Sequence, residues 1–136
     1  MATNIIQKGT GIVLQITAGA AYDSGDAILI GEGLVGICLE DIASAATGSV
    51  MVGEGIVIDY PVKGHNGSGN HAVVIGDLLS FDGSDAFFDV TPGTSATNKI
   101  VGYALEAVTS GATATIEVLL IPNMTGSHSA DLYTAD

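Results

Sequence analysis

Residues 34–52 read LVGICLEDIASAATGSVMV, and residues 100–118 read IVGYALEAVTSGATATIEV. The two stretches align without a gap, and eight of nineteen positions are identical: Val35/Val101, Gly36/Gly102, Leu39/Leu105, Glu40/Glu106, Ser44/Ser110, Ala46/Ala112, Thr47/Thr113 and Val52/Val118. Most other pairs exchange like for like, as in Leu34/Ile100, Ile42/Val108 and Val50/Ile116. Each copy is preceded by a Gly-Asp that opens an apolar strand, Gly25-Asp26-Ala27-Ile28-Leu29-Ile30 and Gly76-Asp77-Leu78-Leu79-Ser80-Phe81. Short runs rich in Val and Ile, cut by glycine, are strand signals. The repeat is therefore read as an all-β unit. None of its matched positions carries an evident catalytic group, so the duplication points to a scaffold.

The same pattern extends along the chain. Residues 11–17 (GIVLQIT) form one expected strand, and 26–30 with 34–41 form a hairpin across Gly31-Glu32-Gly33. Strands follow at 48–53 and 56–62. A second hairpin, 72–81 with 86–90, is expected over Asp82-Gly83. Residues 99–107 and 113–121 complete the second copy, and Pro122 ends its last strand by removing a donor. Residues 39–47 and their repeat mates are read as a strand end plus a loop rather than a helix. The expected fold is all-β, a small barrel or sandwich built from two pseudo-repeats at about 24–62 and 75–121. Gly25 and Val35 are ten residues apart, whereas Gly76 and Val101 are twenty-five apart. The second copy thus carries an insertion over 82–98, a surface position where loops often make contacts. Around a single β domain at 11–122, residues 1–10 read as an extended arm and 123–136 as a polar tail.

Composition narrows the function. The 136 residues include fifteen carboxylates, three lysines (Lys8, Lys63, Lys99) and no arginine, for a net charge of −12. Nucleic acid and anionic membranes both reward clustered Lys and Arg, so neither is expected as a partner. Phosphoryl transfer lacks its usual cationic clamp. Charged residues are only 13% of the chain and mean hydropathy is +0.49, yet no apolar run is long enough to span a bilayer. The surplus apolar surface is expected to lie against other copies of the chain. The opening MATNIIQKGT has no apolar signal region, which leads to an expectation of cytoplasmic synthesis.

Several residues are of types that can do chemistry. His65 and His71 share a Gly-rich loop, but a metal needs three or four converging ligands. Glu40 and Glu106, matched by the repeat, could face each other as an acid–base pair, but the sequence supplies neither a cleft nor an environment to split their pKa values. Asp23-Ser24-Gly25-Asp26 and Asp82-Gly83-Ser84-Asp85 resemble calcium-loop fragments, yet also read as plain turn chemistry. Cys38 is the single cysteine and falls in an apolar strand, where it behaves as a small hydrophobe. There is no nucleophile elbow and no phosphate loop. No catalytic, cofactor or metal residue is assigned, and no cofactor is expected.

The order of the motifs resembles a family of small tailed-bacteriophage virion proteins. The resemblance is carried by MATNIIQKGTGIVLQITAGA, SGDAILIGEGLVGICLED, GEGIVIDYP, IGDLLSFDGSDAFFDV and KIVGYALEAVTSGATATIEVLLI, over about residues 1–121. The added 64–71 loop and the tail depart from the family's usual shorter pattern. Such sequences have also attracted a recombinase-like label, for which this chain offers no nucleotide loop and no basic surface. The resemblance implies a capsid decoration, or head-cement, protein with no enzymatic activity. It would bind as a homotrimer at threefold and quasi-threefold positions outside an expanded capsid and clamp the major capsid protein, after assembly in the host cytoplasm. An N-terminal arm that pairs with the shell would place Ala2, Thr3, Asn4, Ile5, Ile6 and Gln7 at the contact. A tail, fibre or filament subunit is the alternative, and a small carbohydrate- or metal-binding module comes third.

Overall fold

A computed structural model describes residues 2–31, 34–91 and 99–121. The described residues contain nine strands and no helix: β1 (Ile5–Gln7), β2 (Ile12–Thr17), β3 (Ala27–Ile30), β4 (Leu34–Cys38), β5 (Thr47–Val52), β6 (Ile56–Lys63), β7 (Leu78–Phe81), β8 (Lys99–Ala104) and β9 (Thr113–Leu120). They form two antiparallel sheets, β2-β5-β4-β3 and β1-β6-β9-β8-β7. Neither sheet closes on itself, so of the two architectures expected the sandwich is the one formed. Met1, residues 32–33, residues 92–98, Pro122 and residues 123–136 lie outside the described residues.

Each sheet is one copy of the repeat. β2, β3, β4 and β5 occupy the same relative places in the first sheet as β6, β7, β8 and β9 in the second, with β1 added at the outer edge of β6. The repeat limits drawn on the alignment, about 24–62 and 75–121, divide the strands differently, because β6 falls in the first of them. Its hydrogen bonds are made with β9 and β1. GTGIVL at 9–14 and GEGIVI at 53–58 are identical at four of six positions, which marks β2 and β6 as mates in the sequence too.

The register refines the alignment. Val50 pairs with Cys38, and Val118 pairs with Ala104. Cys38 and Ala104 are repeat mates, so Val50 corresponds to Val118 rather than to Ile116. Val52 corresponds to Leu120 in the same way, and the Val52/Val118 identity is a coincidence of register. β5 has six residues and β9 has eight, with the same difference between their partners β2 and β6. Two residues are one full strand period, so the insertion leaves every side chain on its original face.

One expected strand is much shorter than its sequence suggests. Of 72–81, only Leu78–Phe81 is a strand, preceded by a lone bridge between Val73 and Val108. The Asp77 carboxylate accepts the Val74 N–H at 2.9 Å, which folds the chain into a turn. Asp26 does the same for Asp23 in the first copy, at 2.9 Å. Residues 86–90 contribute bridges from Phe88 to Val62 and from Asp89 to Ser80 rather than a full hairpin strand.

The main core lies between the sheets. The first sheet contributes Ala27, Val35, Ile37 and Met51, and the second contributes residues such as Ile58, Val62, Leu79 and Val118. Phe88, from the insertion, stacks on Tyr60 at 4.3 Å and meets Phe81 edge-on at 5.5 Å. Such aromatic pairs add about 0.5–1.5 kcal/mol beyond area burial. A second, smaller cluster sits on the opposite face of the first sheet, where Ile28, Cys38, Val50 and Val52 are covered by loop residues Ala18 and Ile42.

Candidate functional site

Residues 2–7, expected at a contact with the shell or a sister subunit, lie along this chain's own β6. Ile5 pairs with Ile58 and Gln7 with Val57, with a register shift between them. Ala2 is buried in the main core and Ile5 is half-buried against it. Thr3 and Gln7 are exposed, and Ile6 presents an apolar side chain to solvent. Asn4 fastens the segment: its Nδ2 donates to Gly25 O at 3.0 Å and to Asp59 O at 3.2 Å, and its own carbonyl accepts the Asp59 N–H at 2.8 Å. The Asn4 Oδ1 is buried with no hydrogen-bond partner. A buried acceptor without a donor costs about 1–3 kcal/mol. The segment is thus held by three strand residues and one imperfectly satisfied side chain.

The glutamates, the 82–85 turn and Cys38 are occupied with local structure. The Glu40 carboxylate accepts the Ser49 N–H and the Glu106 carboxylate accepts the Glu117 N–H, each at 2.8 Å. The repeated glutamate is therefore a clasp joining the end of one strand to the middle of the next. For Glu40, the hydrogen bonds from the Ser49 backbone and side chain lower the pKa below the ordinary carboxylate range. In the 82–85 turn, Asp82 Oδ1 accepts the N–H groups of Ser84 and Asp85, both at 2.8 Å. Burial pushes Asp82 upward, but these bonds outweigh it and the net shift is down. Asp85 is raised by burial and by the neighbouring Asp82 charge. Cys38 is buried, and desolvation with the Asp26 charge pushes its thiol up to about 11, so it carries little thiolate at neutral pH.

His65 lines a basin of about 540 Å³ together with Lys63, Ser80, Asp82, Asp85, Phe87 and Asp89. Its Nδ1 accepts the Gly67 N–H at 3.0 Å and lies 3.5 Å from Asp89 Oδ2. While its lone pair serves Gly67, that nitrogen has no proton to offer Asp89. Ser80 Oγ donates to Asp89 Oδ1 at 3.2 Å, so the carboxylate stands between serine and imidazole. Acyl transfer needs the imidazole next to the hydroxyl. His71 borders a different, shallower depression with Asn66 and Asp77. Among the described residues no cluster of three or more His, Cys, Asp or Glu is placed to hold a metal.

The remaining surface feature is apolar. Ile12 and Val13 on β2 are 58% and 54% exposed, and Val74 and Ile75 in the turn before β7 are 56% and 69% exposed. The composition signalled surplus apolar surface but could not place it. Its location depends on which strand edge and which turn the fold leaves uncovered.

In comparisons with known proteins, the family model described as phage cement protein matches residues 6–120. No curated protein matches the chain.

Proposed function

This chain belongs to the phage cement protein family, and from that premise we propose that it decorates the outside of an expanded phage capsid. Membership makes it a structural component of the phage particle that associates with capsid proteins. The finer reading is a homotrimer seated at threefold and quasi-threefold positions, where it clamps major capsid subunits against internal pressure. The observation that carries this reading is the family match, which covers nearly the whole β body.

The structure supports an arm role for residues 2–7. They form an edge strand of three residues, and a short strand with few ladder bonds can leave one sheet edge and join another. Ile6 already faces outward from it. The acidic surface, at a net charge of −12, discourages adhesion to nucleic acid while leaving protein contacts available.

The test is co-sedimentation of the purified chain with expanded capsids that lack it, alongside a variant missing residues 2–7. The full chain is expected to bind in multiples of three and to raise the temperature at which the capsids rupture. The shortened chain is expected to bind at least about tenfold more weakly. Absence of binding by the full chain to expanded capsids overturns the reading. Equal binding by both chains removes the arm from it.

A further inference from the structure

We propose that β2 of one copy receives the 74–76 turn of a second copy, repeating between chains the contact that the two halves make within one. The inference deepens the trimer reading above and rests on it for closure of the assembly.

The internal contact is head-to-tail. The first half offers its inward sheet face and its turn at 23–27, and the second half offers β6 and the face containing Val118. Ala27 N–H donates to Tyr60 Oη at 3.2 Å across this junction. The Asn4 amide joins Gly25 O of the turn to Asp59 O of β6. A head-to-tail contact uses two different surfaces, so two copies of a repeat leave one of each unused. The unused pair here is the counterpart of β6 on the first sheet and the counterpart of the 23–27 turn on the second.

Both counterparts can be named. Gln15 pairs with Ser49, whose N–H meets Glu40, and Asp59 pairs with Glu117, whose N–H meets Glu106. Gln15 on β2 is therefore the mate of Asp59 on β6. Gly25 N–H donates to Cys38 O at 2.7 Å and Gly76 N–H to Ala104 O at 2.8 Å, which makes Gly76 the mate of Gly25. A Cβ on Gly25 would meet Asn4 Oδ1 at 3.0 Å, while one on Gly76 would meet nothing within 4 Å. The used turn is covered and its twin is open.

The exposed apolar side chains fall at these unused places. Ile12 and Val13 lie on β2, and Val74 and Ile75 lie in the open turn. Their mates are treated differently: Ile56 and Val57 are buried, and the mates of Val74 and Ile75 are the polar Asp23 and Ser24. The turn thus loses a carboxylate where two copies of an acidic chain would meet. With Val74 in place of Asp23 the turn keeps one carboxylate, Asp77, which is bonded back to the Val74 N–H, so like-charge repulsion between two copies is reduced there. A second copy is the occupant because the sheet face packed over β6 within the chain is made of this same repeat, with β1 added only along its edge.

Single-cysteine variants test the geometry, with the buried native Cys38 left in place. Gln15→Cys and Ile75→Cys are made separately and also produced together in one cell, then oxidised. A cross-linked pair is expected only from the joint sample, because a head-to-tail contact brings the two different positions together. Cross-linking of either variant alone, or none in the joint sample, overturns the inference. A chain doubly changed at Val74→Asp and Ile75→Asp is expected to associate at least about tenfold more weakly at an unchanged unfolding temperature. Capsid binding is measured on the same samples. Normal trimers that bind capsids without the cross-link sink this interface and leave the cement reading intact. The cross-link without capsid binding does the reverse.

Discussion

The two sheets come from one duplicated strand pattern, yet their first strands, β2 and β6, are enclosed to different degrees. Ile56 and Ile58 of β6 are completely buried, and their mates Ile12 and Leu14 on β2 are exposed and half-buried. The second sheet receives β1 along its edge, the first sheet on its face and Phe88 from its own insertion. The first sheet receives only loop residues over the equivalent face, Ala18, Tyr22, Ile42 and Ala46. The difference teaches that burial here is set by position in the chain of units rather than by strand sequence. An end unit keeps an open side.

Four substitutions probe that contrast. The largest effect is expected for Ile58→Ala, at about 2–5 kcal/mol of lost stability, as for other fully buried large-to-small changes. Leu14→Ala, at the matching site, is expected to cost less than half as much in denaturant unfolding. Equal losses would mean that β2 is covered as well as β6. The next contrast is Gly102→Ala against Gly36→Ala. A Cβ on Gly102 would lie 2.0 Å from the Leu119 carbonyl oxygen, a backbone atom, whereas one on Gly36 would first meet a Val50 methyl at 2.3 Å. Overpacking costs about 1–3 kcal/mol or more, and the backbone clash is expected at the upper end because Val50 can rotate and Leu119 cannot.

A stabilising change comes third. Ala45 has φ 66°, and its repeat mate Gly111 has φ 79°. Left-handed backbone costs a non-glycine residue about 1–2 kcal/mol. Ala45→Gly is therefore expected to raise stability by about 0.5–1 kcal/mol, after the added chain entropy of glycine is deducted. An unchanged or lowered midpoint would show that Ala45 is not strained.

The smallest effect concerns pH. Glu40 has a folded pKa below its ordinary value, so its clasp contributes stability above the ordinary carboxylate range. That contribution is lost as pH falls through the lowered folded value. Glu40→Gln is expected to flatten the acid limb of a stability profile slightly and to leave the neutral region little changed. A steeper acid limb in the variant would contradict the clasp.

Much of the fold was legible along the chain because its signals are local. The Gly-Asp openings, the alternation in β6 and β9 and the repeated Leu-Glu all report on neighbouring residues. The strand expected at 72–81 was too long because AVVIGDLLSF has apolar runs on both sides of Gly76-Asp77, and the Asp77 side-chain bond to Val74 reveals the turn between them. For the candidate surfaces, the sequence marked residues 2–7 as an arm but not the sheet edge on which they rest. It gave no sign that Ile12 and Val74 mark two halves of one kind of contact.

By itself, then, the sequence determined an all-β, duplicated, acidic chain, because composition and two-residue periodicity are properties of the chain. The tertiary structure decided that each copy is its own sheet and that β9 is slipped by two residues. It also decided which apolar face stays open. Those facts arise from pairing between distant segments, and a strand carries no label for the partner it will meet.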